Sequence, residues 1–363
     1  MDAAEKGGYE HFMLKEIHEQ PNAVKTTITP RIVNGMPDLS ECGLTLEALK
    51  NYRKLFIVAC GTAMHAGMVG KYVIEKLART EVTVDIASEF RYRDPFVDEN
   101  TLLILVSQSG ETADSRQVLV KANELGIPSL TVTNVPGSTL SREADHTMLL
   151  HAGPEIAVAS TKAYTAQIAA LAFLAKAVGE ANGNEKAKAF DLVHELSLVA
   201  QSIESTLSEK EVIDEKVAAL LAETRNAFYI GRGQDYYVAM EASLKLKEIS
   251  YIQCEGFAAG ELKHGTIALI EDGTPVIALL SDAVLASHTR GNIQEVAARG
   301  AKVLTIAEEN VAKEGDDIVL NNVHPYLSPI SMVVPTQLIA YFATLHRGLD
   351  VDKPRNLAKS VTV

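Results

Sequence analysis

From Lys54 onward the chain alternates short apolar runs with long amphipathic stretches, and each strand-like run ends on small or polar residues. That alternation predicts parallel strands joined by helices, an α/β doubly wound sheet. Strands are predicted over Leu55–Ala59, Val82–Ile86, Leu102–Val106 and Ser129–Thr133, with helices over about Ala63–Ala78 and Thr112–Leu125 between them. In such sheets ligands gather at the strand ends. The Ala-rich stretch Ser160–Val178 and the more polar Ala187–Leu221 read as helical connection between two sheet domains. Beyond them the strand–turn–helix opening returns as Ala227-Phe-Tyr-Ile-Gly-Arg-Gly233, followed by a helix to about Tyr251.

The two halves also match at a fixed offset of 172 residues: Phe56 with Phe228, Gly61 with Gly233, Met68 with Met240, Glu89 with Glu261 and Arg91 with Lys263. The matched residues fall on matched predicted elements, which favours duplication of one α/β unit. The expected layout is a linker-like segment over 1–33, sheet domains over 34–200 and 201–350, and a tail over 351–363 that carries Lys359. A length of 363 residues suits two domains, and 47% hydrophobic with 22% charged residues is ordinary globular composition.

Charge narrows the function classes. Thirty-four Lys and Arg against forty-seven Asp and Glu leave a net charge of −13, which repels a phosphate backbone, and no basic patch offsets it. Trp is absent and aromatics are 6%, so stacking platforms for bases are disfavoured as well. No nucleic-acid partner is expected. Cys42, Cys60 and Cys254 are an odd set without metal-ligand spacing and read as reduced thiols of a cytoplasmic protein; no metal and no cofactor are expected. Neither a signal-like start nor a run of about 18 apolar residues is found, so no membrane association is expected.

The strongest chemical signal is Ser107-Gln-Ser-Gly-Glu-Thr112, which follows a strand and opens a helix. Free N–H groups and the positive end of the helix dipole meet there, Gly110 permits close approach, and three hydroxyls add donors: a phosphate monoester fits. A plain hydroxyl cap is the competing reading. Cys60-Gly61-Thr62 follows the first strand in the same way. Nucleotide fingerprints are missing, since no Gly-Lys-Ser/Thr occurs and Gly231-Arg-Gly233 lacks its third glycine. In the second half Lys245 and Glu248 share a helix face, as an ordinary surface pair would, but the small-residue stretch Gly256-Phe-Ala-Ala-Gly-Glu-Leu-Lys-His-Gly265 then brings in His264. A carboxylate, an ammonium and an imidazole near a phosphate pocket suit proton transfer next to a carbonyl.

Five stretches in order, Ser107–Thr112, Ile156-Ala-Val-Ala-Ser-Thr-Lys-Ala163, Leu244-Lys-Leu-Lys-Glu-Ile-Ser-Tyr251, Ala258-Ala-Gly-Glu-Leu-Lys-His-Gly265 and Pro354-Arg-Asn-Leu-Ala-Lys-Ser-Val-Thr362, closely resemble the isomerase half of the glucosamine-6-phosphate synthase family. That half consists of two sugar isomerase (SIS) domains, and the resemblance runs from about Phe12 to Val363. It implies that Ser107, Gln108, Ser109 and Thr112 hold the phosphate of fructose 6-phosphate, with the backbones of Val158 and Ala358 lining the sugar site; Thr62, which the turn after the first strand offers as a second wall, would stand beside them. Glu248 would shuttle the proton between C1 and C2 with Lys245 beside it, Lys359 would form an imine with the open ketose, and His264 of a neighbouring subunit would assist ring opening. Glucose 6-phosphate and glucosamine 6-phosphate would be the related sugars, a homodimer the assembly, and a glutaminase domain, which nothing in this sequence matches, the source of ammonia. The chain is therefore expected to be an excised isomerase half. Two departures stand out: Ala63 where the family commonly has Ser, and Thr266 where it often has Pro. The alternatives are a sugar-phosphate sensor without catalysis, and a related SIS enzyme that deglycates or deaminates amino-sugar phosphates.

Overall fold

The structure, a computed structural model, describes residues 5–363. The chain forms two compact units. The first comprises Asn22–Glu155, Lys162–Ser197 and Ala358–Val363; the second comprises the chain up to Pro21 together with Ile156–Thr161 and Leu198–Leu357.

The first unit is built on five parallel strands, β1 (Lys54–Ala59), β2 (Glu81–Ile86), β3 (Thr101–Ser107), β4 (Ser129–Thr133) and β5 (His146–Leu149), in the order β2-β1-β3-β4-β5. Every residue of β3 is buried, as are all but the first of β1. Helices on both faces explain why these strands read as unbroken apolar runs. Helix α1 (Gly61–Ala78) follows β1, and α2 (Ala113–Glu124) follows β3.

Helix α3 (Lys162–Ala181) corrects one sequence reading. It is no connection between domains but a core helix of the first unit, buried along nearly its whole length and packed on α1. Its apolar residues on all faces are the mark of that burial, whereas a connecting helix would keep a polar side. The approach is close: a Cβ on Gly70 of α1 would lie 2.5 Å from the Leu171 side chain.

The second unit repeats the strand order. Strands β6 (Asn226–Gly231), β7 (Gln253–Ala258), β8 (Pro275–Leu280), β9 (Lys302–Glu308) and β10 (Ile318–Leu320) run parallel in the order β7-β6-β8-β9-β10. Helix α4 (Gln234–Ser250) follows β6 and packs on α5 (Ser328–His346). By length and composition α5 could cross a bilayer, but 94% of its most apolar window is buried inside the protein, which is how the central helix of a folded domain looks. Gly256 of β7 sets the depth of α4 on the sheet, since a Cβ there would come within 2.5 Å of the Ala239 backbone.

Candidate functional site

In the order shared by both sheets the switch point lies between the first and third strands, where the connections leave toward opposite faces and open a crevice. In the first unit that crevice is flanked by Cys60-Gly61-Thr62 after β1 and by Ser107–Thr112 after β3.

The serine-rich turn is folded on itself rather than used as a simple cap. Gly110 takes a positive φ of 67°, and a Cβ there would fall 2.0 Å from the Ser138 hydroxyl, so only glycine fits. Its N–H donates to Ser107 Oγ at 3.0 Å, and the Ser107 hydroxyl meets that of Thr112 at 2.9 Å. The Glu111 N–H donates to Ser109 Oγ at 3.1 Å. Thr112 is the N-cap residue of α2, yet its side chain caps no N–H, and Cys60 likewise leaves the start of α1 without a side-chain cap. Glu111, the one acid in the turn, points its carboxylate away to accept from the Thr139 hydroxyl and N–H at 2.6 and 2.9 Å. Those hydrogen bonds, the hydroxyl's first, hold its pKa below the usual carboxylate value. The side-chain amide of Gln108 has no partner among the described residues. Half-buried hydroxyls, an amide and two helix N-termini therefore converge with the chain's own negative charge turned aside, an arrangement that suits an anion.

The chain end lies on this turn. The Val361 carbonyl accepts from the Ala113 N–H at 3.1 Å, and the Ser360 hydroxyl donates to Ser109 Oγ at 3.1 Å. Lys359, between them and the exposed Ala358, turns inward to an ion pair with Glu155, whose side chain is fully buried. The other oxygen of Glu155 accepts from the Ala163 N–H in the first turn of α3 at 2.9 Å. Cys60 packs against the core behind α2, and burial raises its thiol pKa, which disfavours the nucleophilic thiolate.

In the second unit Lys245 and Glu248 share the expected face of α4 and form an ion pair. Glu241, one turn earlier and equally buried, also reaches the Lys245 ammonium, at 3.3 Å. Burial alone would lower the pKa of Lys245; the charges of Glu241 and Glu248 outweigh it and hold the ammonium above its ordinary value. Lys247, by contrast, is exposed. His264, itself exposed, ends the 3₁₀ turn Ala259–His264, in which the lack of a Cβ on Gly260 leaves room for the Arg232 guanidinium. Val158 donates its N–H to the Asp352 carbonyl at 3.0 Å, and the buried Glu16 carboxylate takes the N–H groups of Ile156 and Ala157 at 2.8 and 2.9 Å, which fixes that loop. Thr62, in the first turn of α1, belongs with the serine-rich turn in the first unit, while Val158, Lys245, Glu248 and His264 lie in the second.

Sequence reasoning overlooked Glu16, Glu155 and Glu241. In sequence each is one more acid in a chain with an excess of them; only burial against a cation or backbone N–H groups sets them apart.

The switch point of the second sheet is different. Asp235 stands 172 residues after Ala63, at the start of α4, and its carboxylate accepts from the Ser281 N–H and hydroxyl at 2.8 and 2.7 Å. An anion position is thus filled by the protein itself. Burial pushes the Asp235 carboxyl up to about 6 despite the Ser281 hydrogen bonds. Burial also pushes Glu308, at the end of β9, up to about 8, with Ser328 opposing and the Asp235 charge adding to the rise. Glu308 is therefore mostly neutral when folded at pH 7 and charged when unfolded, so its contribution to stability is full below the unfolded value near 4.5 and is lost as pH rises through about 8. Glu308→Gln is expected to flatten urea-derived stability across that window, removing a fall on the order of 2–4 kcal/mol; an unaltered slope would exclude Glu308 as its source.

Comparison with known proteins bears on the family and the fold. The SIS domain family model matches twice, over residues 48–177 and 220–347. The chain is 75% identical over 358 residues to the glutamine--fructose-6-phosphate aminotransferase (isomerizing) of Streptococcus pneumoniae (strain ATCC BAA-255 / R6), covering 99% of this chain and 59% of that protein. It thus spans about three fifths of the relative's length, 59%. Among solved structures, the C-terminal domain of glucosamine-fructose-6-phosphate aminotransferase from Francisella tularensis superposes with a TM-score of 0.90 at 38% identity, over 96% of this chain and 99% of that one. A glucosamine-6-phosphate deaminase from Thermotoga maritima shares the fold, with a TM-score of 0.78 at 22% identity over 97% and 99% of the two chains. With more than half of its residues inside the two matched segments and 96% of its length aligned to that aminotransferase domain, the chain belongs to the SIS-domain family.

Proposed function

We propose that the chain is the sugar-phosphate isomerase part of a glucosamine-6-phosphate synthase, which converts fructose 6-phosphate and ammonia into glucosamine 6-phosphate. The observation that supports this most directly is the serine-rich turn with the Lys359 segment docked on it, in a chain 75% identical to a named aminotransferase. In this reading Ser107, Gln108, Ser109 and Thr112 hold the phosphate, with Thr62 beside them. The two uncapped helix N-termini neutralise part of its charge. Lys359 forms an imine at C2, which acidifies the C1 proton, and Glu248 carries that proton between C1 and C2 with Lys245 holding the carboxylate in place. His264 assists ring opening from a neighbouring subunit of a homodimer, and Val158 and Ala358 line the sugar site through their backbones. Ammonia comes from a glutaminase domain, and the enzyme works in the cytoplasm.

The test is turnover of the chain itself. It is expected to interconvert fructose 6-phosphate and glucose 6-phosphate, to make glucosamine 6-phosphate with added ammonium but not with glutamine, and to bind one sugar phosphate per chain in calorimetry, because Asp235 fills the second turn. Binding without any turnover would leave a sensor, and ammonia release from glucosamine 6-phosphate as the sole activity would make it a deaminase.

A further inference from the structure

We propose that Glu155 is the counter-ion and proton acceptor of Lys359, a positioning residue without which the lysine cannot form its imine. This rests on the reading that Lys359 reacts with the ketose. Glu155 is the only charged partner of Lys359 among the described residues, its side chain is fully buried, and that of Lys359 is 25% exposed. One carboxylate oxygen meets the ammonium while the other is held by the Ala163 N–H at 2.9 Å, so the group is anchored to the start of α3 and cannot follow a wandering lysine. The tail is pinned immediately after the contact as well, through Ser360 to Ser109 at 3.1 Å and through Val361 to Ala113 at 3.1 Å. The buried, anchored carboxylate aims the Lys359 amine through their ion pair.

The chemistry uses that ion pair. The ammonium passes one proton to Glu155, and the resulting amine attacks the C2 carbonyl carbon. A second proton moves from nitrogen to the former carbonyl oxygen. That oxygen then leaves as water with the proton Glu155 returns, and the nitrogen keeps its third proton as a cationic imine. Ammonium and iminium place the same positive charge at the same atom, so the Glu155 pair persists through the step. It holds the imine in its protonated form, the form that withdraws electrons from C1.

Glu155→Gln keeps the shape and an oxygen for the Ala163 N–H but removes the charge. With fructose 6-phosphate and borohydride, the adduct mapped to Lys359 is expected to drop at least about tenfold, and kcat for isomerisation about 100-fold with KM within about threefold. Glu155→Asp, or formate added to the Gln variant, is expected to recover a measurable part of both. A wild-type adduct on Lys359 that Glu155→Gln leaves undiminished overturns the assignment of Glu155 while sparing that of Lys359. Absence of any Lys359 adduct in the unaltered chain overturns both. If loss in the Gln variant tracks a lowered melting temperature and neither Asp nor formate restores trapping, Glu155 is structural only and the proposal fails.

Discussion

Glu248→Gln is expected to abolish exchange of the sugar's C1 and C2 protons with solvent while fructose 6-phosphate still binds within a few-fold of its original affinity. The amide is the same size and keeps a contact with Lys245, but it cannot take up a proton, and a general base contributes roughly 10²- to 10⁴-fold. Binding survives because the residues assigned to the phosphate, Ser107 to Thr112, belong to the other compact unit. Lys245 remains compensated in the variant through Glu241 at 3.3 Å, so folding is preserved. The measurement is proton NMR of fructose 6-phosphate in deuterated buffer, paired with calorimetry. Exchange at the wild-type rate would remove Glu248 from the proton-transfer role.

Lys245→Met carries the larger cost in stability. Lys245 and Glu241 each expose only 1% of their side chains, and Glu248 exposes 17%. Removing the ammonium leaves one fully buried and one mostly buried carboxylate without their shared cation, and breaking a buried pair from one side costs about 3–5 kcal/mol. Urea unfolding near neutral pH is expected to show that loss, and Glu241→Gln added to Lys245→Met to recover most of it by removing the stranded charge. The deficit of the single Lys245→Met variant is also expected to shrink at acid pH: without the lysine the Glu241 carboxyl takes up a proton more readily when folded than when unfolded, so stability is present at low pH and lost as pH rises. A single variant as stable as the wild type would show that the triad is dispensable to the fold.

These two variants also mark the limits of reading the chain by pattern. The Lys245–Glu248 spacing put both groups on one face of α4, but the same spacing describes countless solvated pairs. Glu241, one further turn away, is what turns the pair into a buried triad, and it became visible only when α4 was seen packed against β7 and α5. The serine-rich turn could be read because strand, small residues and helix are contiguous in sequence. Its dependence on Gly110 was only half legible: the backbone freedom was expected, whereas the contact with Ser138 was not.

What the sequence determined by itself was the order and character of the elements, because the period of apolar positions records local geometry, and the chemistry of contiguous motifs such as Ser107–Thr112. Tertiary structure decided which charges are buried and against what. Glu155 meets Lys359 across 204 positions of chain, and Asp235 meets Ser281 across 46. It also decided that α3 is a core helix and no connector. The physical reason is common to all of these: an isolated carboxylate, lysine or alanine looks the same in sequence whether solvated or enclosed, and its role is set by desolvation and by partners that only folding brings within reach.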